Sequence, residues 1–214
     1  MTKLTEKIFN ILKLTIKKKG VVTFVVSGGS SPIKIFNELS LMELDWSKVN
    51  ITLVDDRLVD KDHQDSNEKL VLENLMINKA TNSNFISLCS SPNEVRNMNK
   101  PFDVMLLGMG EDGHFASLFP TLIKTNPDYF NSLSSSEIIY TEAMGNPFHK
   151  RVSMNLSMIL QSDNLFLLIS NKKKFEVYEQ AKNNKDIPLY FLLNQNINLF
   201  QELELHPTDQ QYQF

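Results

Sequence analysis

Apolar residues recur at helical spacing at the start of the chain. Leu4, Ile8, Ile11, Leu12 and Ile16 share one face of residues 2–19, lysines fill the other, and Gly20 stops the run. The period then changes. Val21–Val26 is a near-continuous β-branched stretch, the pattern of a strand covered on both faces. Further strands are predicted at Asn50–Val54, Phe85–Leu88, Val104–Leu107, Glu137–Glu142, Arg151–Met154, Leu165–Ile169 and Ile197–Phe200. Helices are predicted from Ser31-Pro32, with Ser31 as N-cap, to about Ser40, from Asn67 to Met76, after Ser91-Pro92, over Asn155–Leu160 and over Asn171–Asn183. Residues 121–136, rich in Ser, Asn and Pro, read as loop with at most a short helix, and Ile187-Pro188 reads as a break. Strands alternating with helices predict an α/β protein, a Rossmann-like three-layer fold with a largely parallel central sheet flanked by helices. No repeat and no long linker divides the chain, so a single domain over residues 1–214 is expected.

Composition narrows the class. The 214 residues suffice for one sizeable core, and 42% hydrophobic with 22% charged residues is an ordinary globular balance. A net charge of −3 provides no basic stripe for nucleic acid. The first twenty residues hold no apolar run long enough for a signal-peptide core or a membrane span, so a cytoplasmic protein is expected, with neither nucleic acid nor membrane as partner. The single cysteine, Cys89, excludes an intrachain disulfide and a Cys-based zinc site.

The chemistry concentrates where predicted strands end. Val104–Leu107 runs into Gly108-Met109-Gly110-Glu111-Asp112-Gly113-His114, and ligands of parallel α/β sheets bind beyond the carboxyl ends of the strands. His114 suits a general base, because imidazole titrates near neutral pH, and Asp112 is placed to orient it, to act elsewhere in the site, or merely to form the turn. The GxGxxG match at Gly108–Gly113 is weak as a dinucleotide fingerprint: it follows a late strand and carries two acids. Ser27-Gly28-Gly29-Ser30-Ser31-Pro32 is either a plain strand-to-helix turn or an anion site built from backbone N–H groups and hydroxyls. Asp55-Asp56-Arg57 closes another predicted strand on the same edge. Arg57 is one of three arginines among 22 basic residues, and the guanidinium fork matches phosphate as lysine does not. Arg151 invites the same reading; Arg96 belongs to a surface helix. Asn67 reads as a helix cap. His63 and His114 lie near acids, but no HxH or HxxxH pair occurs and no metal site is expected.

Together these segments resemble the 6-phosphogluconolactonase family. SGGSSP at 27–32 is similar to its SGGSTP loop, and DDRLVDKDHQDSN at 55–67 to its DER…H..SN segment, with Asp56 where Glu is usual. LLGMGEDGHFASLFP at 106–120 is close to LLGMGPDGHTASLFP, with Glu111 for Pro and Phe115 for Thr. HKRVSMNLSMI at 149–159 and LFLLISNKKKFEV at 165–177 are similar to the family's Arg-bearing strand and its late strand with a Lys-containing helix start. Near the C-terminus, Leu193–Ile197 departs from the family's Trp-x-x-Asp-like stretch.

The resemblance implies hydrolysis of 6-phospho-D-glucono-1,5-lactone to 6-phosphogluconate in the oxidative pentose phosphate pathway, without cofactor or metal. It implies His114 and Asp112 as the catalytic residues. Gly28, Gly29, Ser30, Asp55, Arg57, Arg151 and Lys172 would bind the substrate, with the glycine loop and arginines on its phosphate. The partner is the small sugar-phosphate lactone, in a monomer or small homo-oligomer. Two alternatives stand beside it: a glucosamine-6-phosphate deaminase, whose Asp-Gly-His is followed by a different stretch, and a sugar-phosphate-binding module without turnover.

Overall fold

The structure, a computed structural model, describes residues 1–196 and 199–203. Six parallel strands form the central sheet: β1 (Val22–Val26), β2 (Val49–Leu53), β4 (Asn84–Ile86), β5 (Val104–Gly108), β8 (Leu165–Ile169) and β9 (Leu199–Leu203), in the order β4-β2-β1-β5-β8-β9. The predicted last strand thus starts at Leu199, and Ile197 lies outside the described residues. Every residue of β1 and β8 is buried, as the unbroken apolar runs require when helices cover both faces. Helix α1 (Lys3–Lys19) buries Leu4, Ile8 and Leu12 against this core, and Thr2 caps its start by accepting from the Thr5 amide. Helices α2 (Ile33–Ser40), α3 (Asn67–Asn74), α4 (Pro92–Asn97), α5 (Pro120–Thr125), α6 (Leu156–Ile159), α7 (Lys172–Ala181) and α8 (Leu189–Leu193) complete the fold. No helix among the described residues is long and apolar enough to cross a membrane.

A second sheet was not foreseen. Asp55-Asp56-Arg57 does not end β2; it forms its own strand, β3, after the single residue Val54. β3 pairs antiparallel with β7 (His149–Met154), and β7 with β6 (Ile138–Met144). Val54 joins the two sheets: its amide donates to the Val26 carbonyl of the large sheet, while its carbonyl accepts from Met154 of the small one, each at 2.9 Å. The carboxyl ends of β1 and β5 therefore meet β3 and β7 at one place. Two capping expectations are corrected there. Ser31 does not cap α2, which follows Pro32 without a side-chain cap, and its hydroxyl instead donates to Ser170 beyond β8. Ser66, not Asn67, caps α3. Helix α8 begins at the Pro188 that reads from sequence as a break, since proline is at home at a helix start.

Candidate active site

A cleft of about 200 Å³ opens where the sheets meet. Its walls are the loop after β1 (Ser27–Ser31), Asp55 and Arg57 of β3, Asn67, the loop after β5 (Gly108, Met109, His114, Ala116), Arg151 of β7 and Lys174 of α7. The backbone N–H groups of Gly28, Gly29, Ser30 and Ser31 have no acceptor among the described residues. Four consecutive free donors on a cleft wall form a ready anion cradle.

Asp112 settles which acid orients His114. Its Oδ1 meets the His114 ring Nδ1 at 2.5 Å and also accepts from the His114 amide at 3.1 Å. Burial works against the Asp112 charge and is the largest single influence, but the bond to the imidazole, the attraction of His114 and the backbone amides together outweigh it and hold the carboxyl below its usual range. The other face of the ring packs on Phe119, with centroids 4.4 Å apart. Nε2 has no partner among the described residues, so the imidazole is fixed at one nitrogen and available at the other. Gly110 permits this: a Cβ there would lie 2.2 Å from the His114 ring and 2.6 Å from Asp112 Oδ1.

Asp55 and Asp56 divide their roles. Asp55 faces the cleft, and its Oδ2 accepts from the buried Ser117 hydroxyl at 2.6 Å. Asp56 faces away and accepts from the amides of Arg57, Asn67 and Glu68, closing the N-terminus of α3. Burial pushes the Asp56 carboxyl up to about 6, although the three amides act to hold it down.

Arg57 and Arg151 are bound only to carbonyls among the described residues. Arg57 donates to Asp65 O, and Arg151 to His149 O, Met144 O and Pro147 O. Arg57 Nε is buried without a partner among the described residues. Burial first, and then the neighbouring Arg57 charge, lower the pKa of the Arg151 guanidinium. Two cations held together in this way create a strong demand for an anion between them.

Of the residues read from sequence as site candidates, the cleft assembles Gly28, Gly29, Ser30, Asp55, Arg57, His114 and Arg151, with Asp112 behind His114. Lys172 is a correction. It is exposed at the start of α7 and absent from the lining, while Lys174 reaches in and donates to Ser31 Oγ at 3.2 Å. Burial lowers the Lys174 pKa. The signal was present in the helix period: Lys174 shares a face with the buried Tyr178 and Ala181, at i+4 and i+7. Asn67 was missed as well. Its side chain lies in the cleft floor beneath Gly28, donates to Asp55 O, and leaves Oδ1 unpaired among the described residues. A Cβ at residue 28 would lie 1.9 Å from that oxygen, so glycine is required for this close approach.

The profile of the glucosamine-6-phosphate isomerase/6-phosphogluconolactonase family matches residues 1–200. The chain belongs to this family. Within the family, the 6-phosphogluconolactonase of Neisseria meningitidis serogroup A is 36% identical over 214 aligned residues, covering 91% of this chain and 90% of its own. That of Helicobacter pylori is 35% identical, covering 83% and 80%. The crystal structure of a 6-phosphogluconolactonase from Shewanella baltica superposes with a TM-score of 0.82 at 33% identity, covering 93% of this chain and 91% of that one. The family's mostly parallel α/β architecture is thus the one observed, as the sequence pattern predicts.

Proposed function

We propose that this member of the family is a 6-phosphogluconolactonase, a carboxylic ester hydrolase that opens 6-phospho-D-glucono-1,5-lactone to 6-phosphogluconate. The observation that carries the reading is the meeting, in one cleft, of an Asp112-oriented imidazole with two arginines that have no carboxylate partner among the described residues. The curated relatives of that name span most of the chain and support the same reaction.

The substrate presents a dianion at one end and an ester carbonyl at the other. Arg57, Arg151, the Gly28-Gly29-Ser30 donors and Lys174 receive the phosphate, since charge-assisted hydrogen bonds are strongest where the donors are already desolvated. His114 Nε2 takes a proton from water as the water oxygen attacks the lactone carbon. The carbonyl π electrons move to oxygen, giving a tetrahedral oxyanion, and backbone N–H groups of a glycine loop stabilise it. Collapse of this intermediate breaks the bond to the ring oxygen, and the imidazolium returns its proton there. Asp112 keeps Nδ1 protonated, so Nε2 is the basic nitrogen throughout. Asp55 lies on the cleft wall and offers an acceptor to the sugar hydroxyls, while Asn67 Oδ1 is buried beneath Gly28 and supports the floor.

A rapid assay with fresh lactone tests the reading. Acceleration of acid release above the spontaneous rate is expected, with no ammonia from glucosamine 6-phosphate. Ammonia release would assign the chain to the other branch of its family. Thermal stabilisation by 6-phosphogluconate without turnover would make it a binding module.

A further inference from the structure

Among the described residues, one cluster of side chains able to ligate a metal lies outside the cleft. His63 and Asp65 come from the loop after β3, and His149 from the start of β7, 84 residues from Asp65. One carboxylate oxygen is shared: Asp65 Oδ2 lies 2.8 Å from His149 Nε2 and 3.8 Å from His63 Nδ1. The two rings stand nearly perpendicular, at 82°, and do not stack; His63 Nδ1 accepts from the Asp65 amide at 3.1 Å, a bond that a metal at that nitrogen would replace. All three donor atoms lie within 4.8 Å of one another. Zinc bonds of about 2.0–2.1 Å set tetrahedral ligands roughly 3.3 Å apart, inside this spread.

We propose that His63, Asp65 and His149 form a three-ligand site for a divalent transition metal of the zinc class, with a fourth position open to water or an exogenous ligand. The donor set fixes the class. Two imidazoles and one carboxylate suit Zn²⁺, Co²⁺ or Ni²⁺, whereas Mg²⁺ and Ca²⁺ demand oxygen. A cation at this point replaces the Asp65–His149 hydrogen bond. The sequence hides the site because its ligands are spaced 2 and 84 residues apart, and only the β3–β7 pairing brings them together. The site also touches the cleft through the backbone. The Asp65 carbonyl holds Arg57, and the His149 carbonyl holds Arg151, so an ion here stiffens the frame that carries both guanidiniums. The proposal is independent of the lactonase reading.

Titration of the full chain with ZnCl₂ and with CoCl₂ tests it. One ion per chain is expected, with the visible d–d bands of four- or five-coordinate Co²⁺, a rise in Tm, and no response to MgCl₂ or CaCl₂. His63→Ala and His149→Ala should each weaken binding by roughly tenfold or more, since even lost supporting groups around a metal have effects of that size. His114→Ala should leave binding intact. If His149→Ala fails to fold, the exposed His63→Ala carries the test. Absence of Co²⁺ bands, or binding that survives both substitutions and disappears in His114→Ala, overturns the proposal.

Discussion

Arg57 and Arg151 stand opposite one another, in register, on the antiparallel pair β3–β7. Like charges placed directly across a ladder destabilise it. The arrangement is stabilised when an anion lies between them. Arg57→Lys should therefore raise KM about 10–100-fold, the value of a charge-assisted hydrogen bond or two, with little change in kcat. The charge survives in that variant and the fork does not. An unchanged KM would remove Arg57 from the phosphate site.

The same pair predicts ligand-linked stability. 6-Phosphogluconate at 100 times its Kd should stabilise the protein by about 2.7 kcal/mol. In Arg57→Met the shift should nearly vanish, as read from thermal melts over a concentration series.

His114 and Asp112 carry the prediction for the chemical step. His114→Ala should lower kcat by about 10²–10⁴-fold in a protein whose circular dichroism is unchanged. Asp112→Asn should lower kcat by a smaller factor and leave KM near its original value, because it alters only which ring nitrogen holds the proton. Activity within a few-fold of the parent in His114→Ala would exclude the base.

Gly110→Ala tests the position of the base without removing it. The added methyl overlaps the imidazole at 2.2 Å, so the His114–Asp112 pair must move. A displacement of about 1 Å is worth roughly 10² in rate. A fall in kcat of that order is expected, with substrate affinity retained.

Asp56 gives a prediction in pH. Its folded pKa, pushed up to about 6 by burial, lies above the unfolded value near 3.8. The folded state then binds the extra proton between these values, so this group's contribution is fully present below about pH 4 and is lost as pH rises through 6. The stability difference between the parent and Asp56→Asn should shift against the parent over that window, as followed by urea midpoints. A flat difference would mean that the three amides keep Asp56 ionised throughout.

Much of this was legible in the chain. The parallel sheet follows from β-branched runs ending in Gly, Ser and Asp, because a strand buried on both faces has no polar alternation to hide it. His114 and the glycine loops were legible because they follow those strand ends directly, where the cleft opens. What escaped depends on contacts between distant segments. β3 is three polar residues whose strand character comes only from pairing with β7. Asn67 gave a correct helix boundary and a wrong role, since nothing local shows that Gly28 lies above it. Lys172 and Lys174 differ only in helical phase, and phase is set by the Asn171 cap, whose side chain accepts from the Lys174 amide. His149 and Asp65 are ordinary surface residues until the small sheet joins their segments.

The sheet order has a consequence for the time course of folding. β1 sits inside the sheet between β2, the next strand in the chain, and β5, which comes from much later. Ser31 and Ser170, bonded beside the cleft, are separated by 139 residues. Such contacts form late, because loop closure over long separations must precede them. A nascent chain that ends before Lys174 holds the imidazole and both arginines but not the complete pocket. On refolding, lactone turnover should lag behind the return of secondary structure and report the docking of β8 against β5, not the initial collapse.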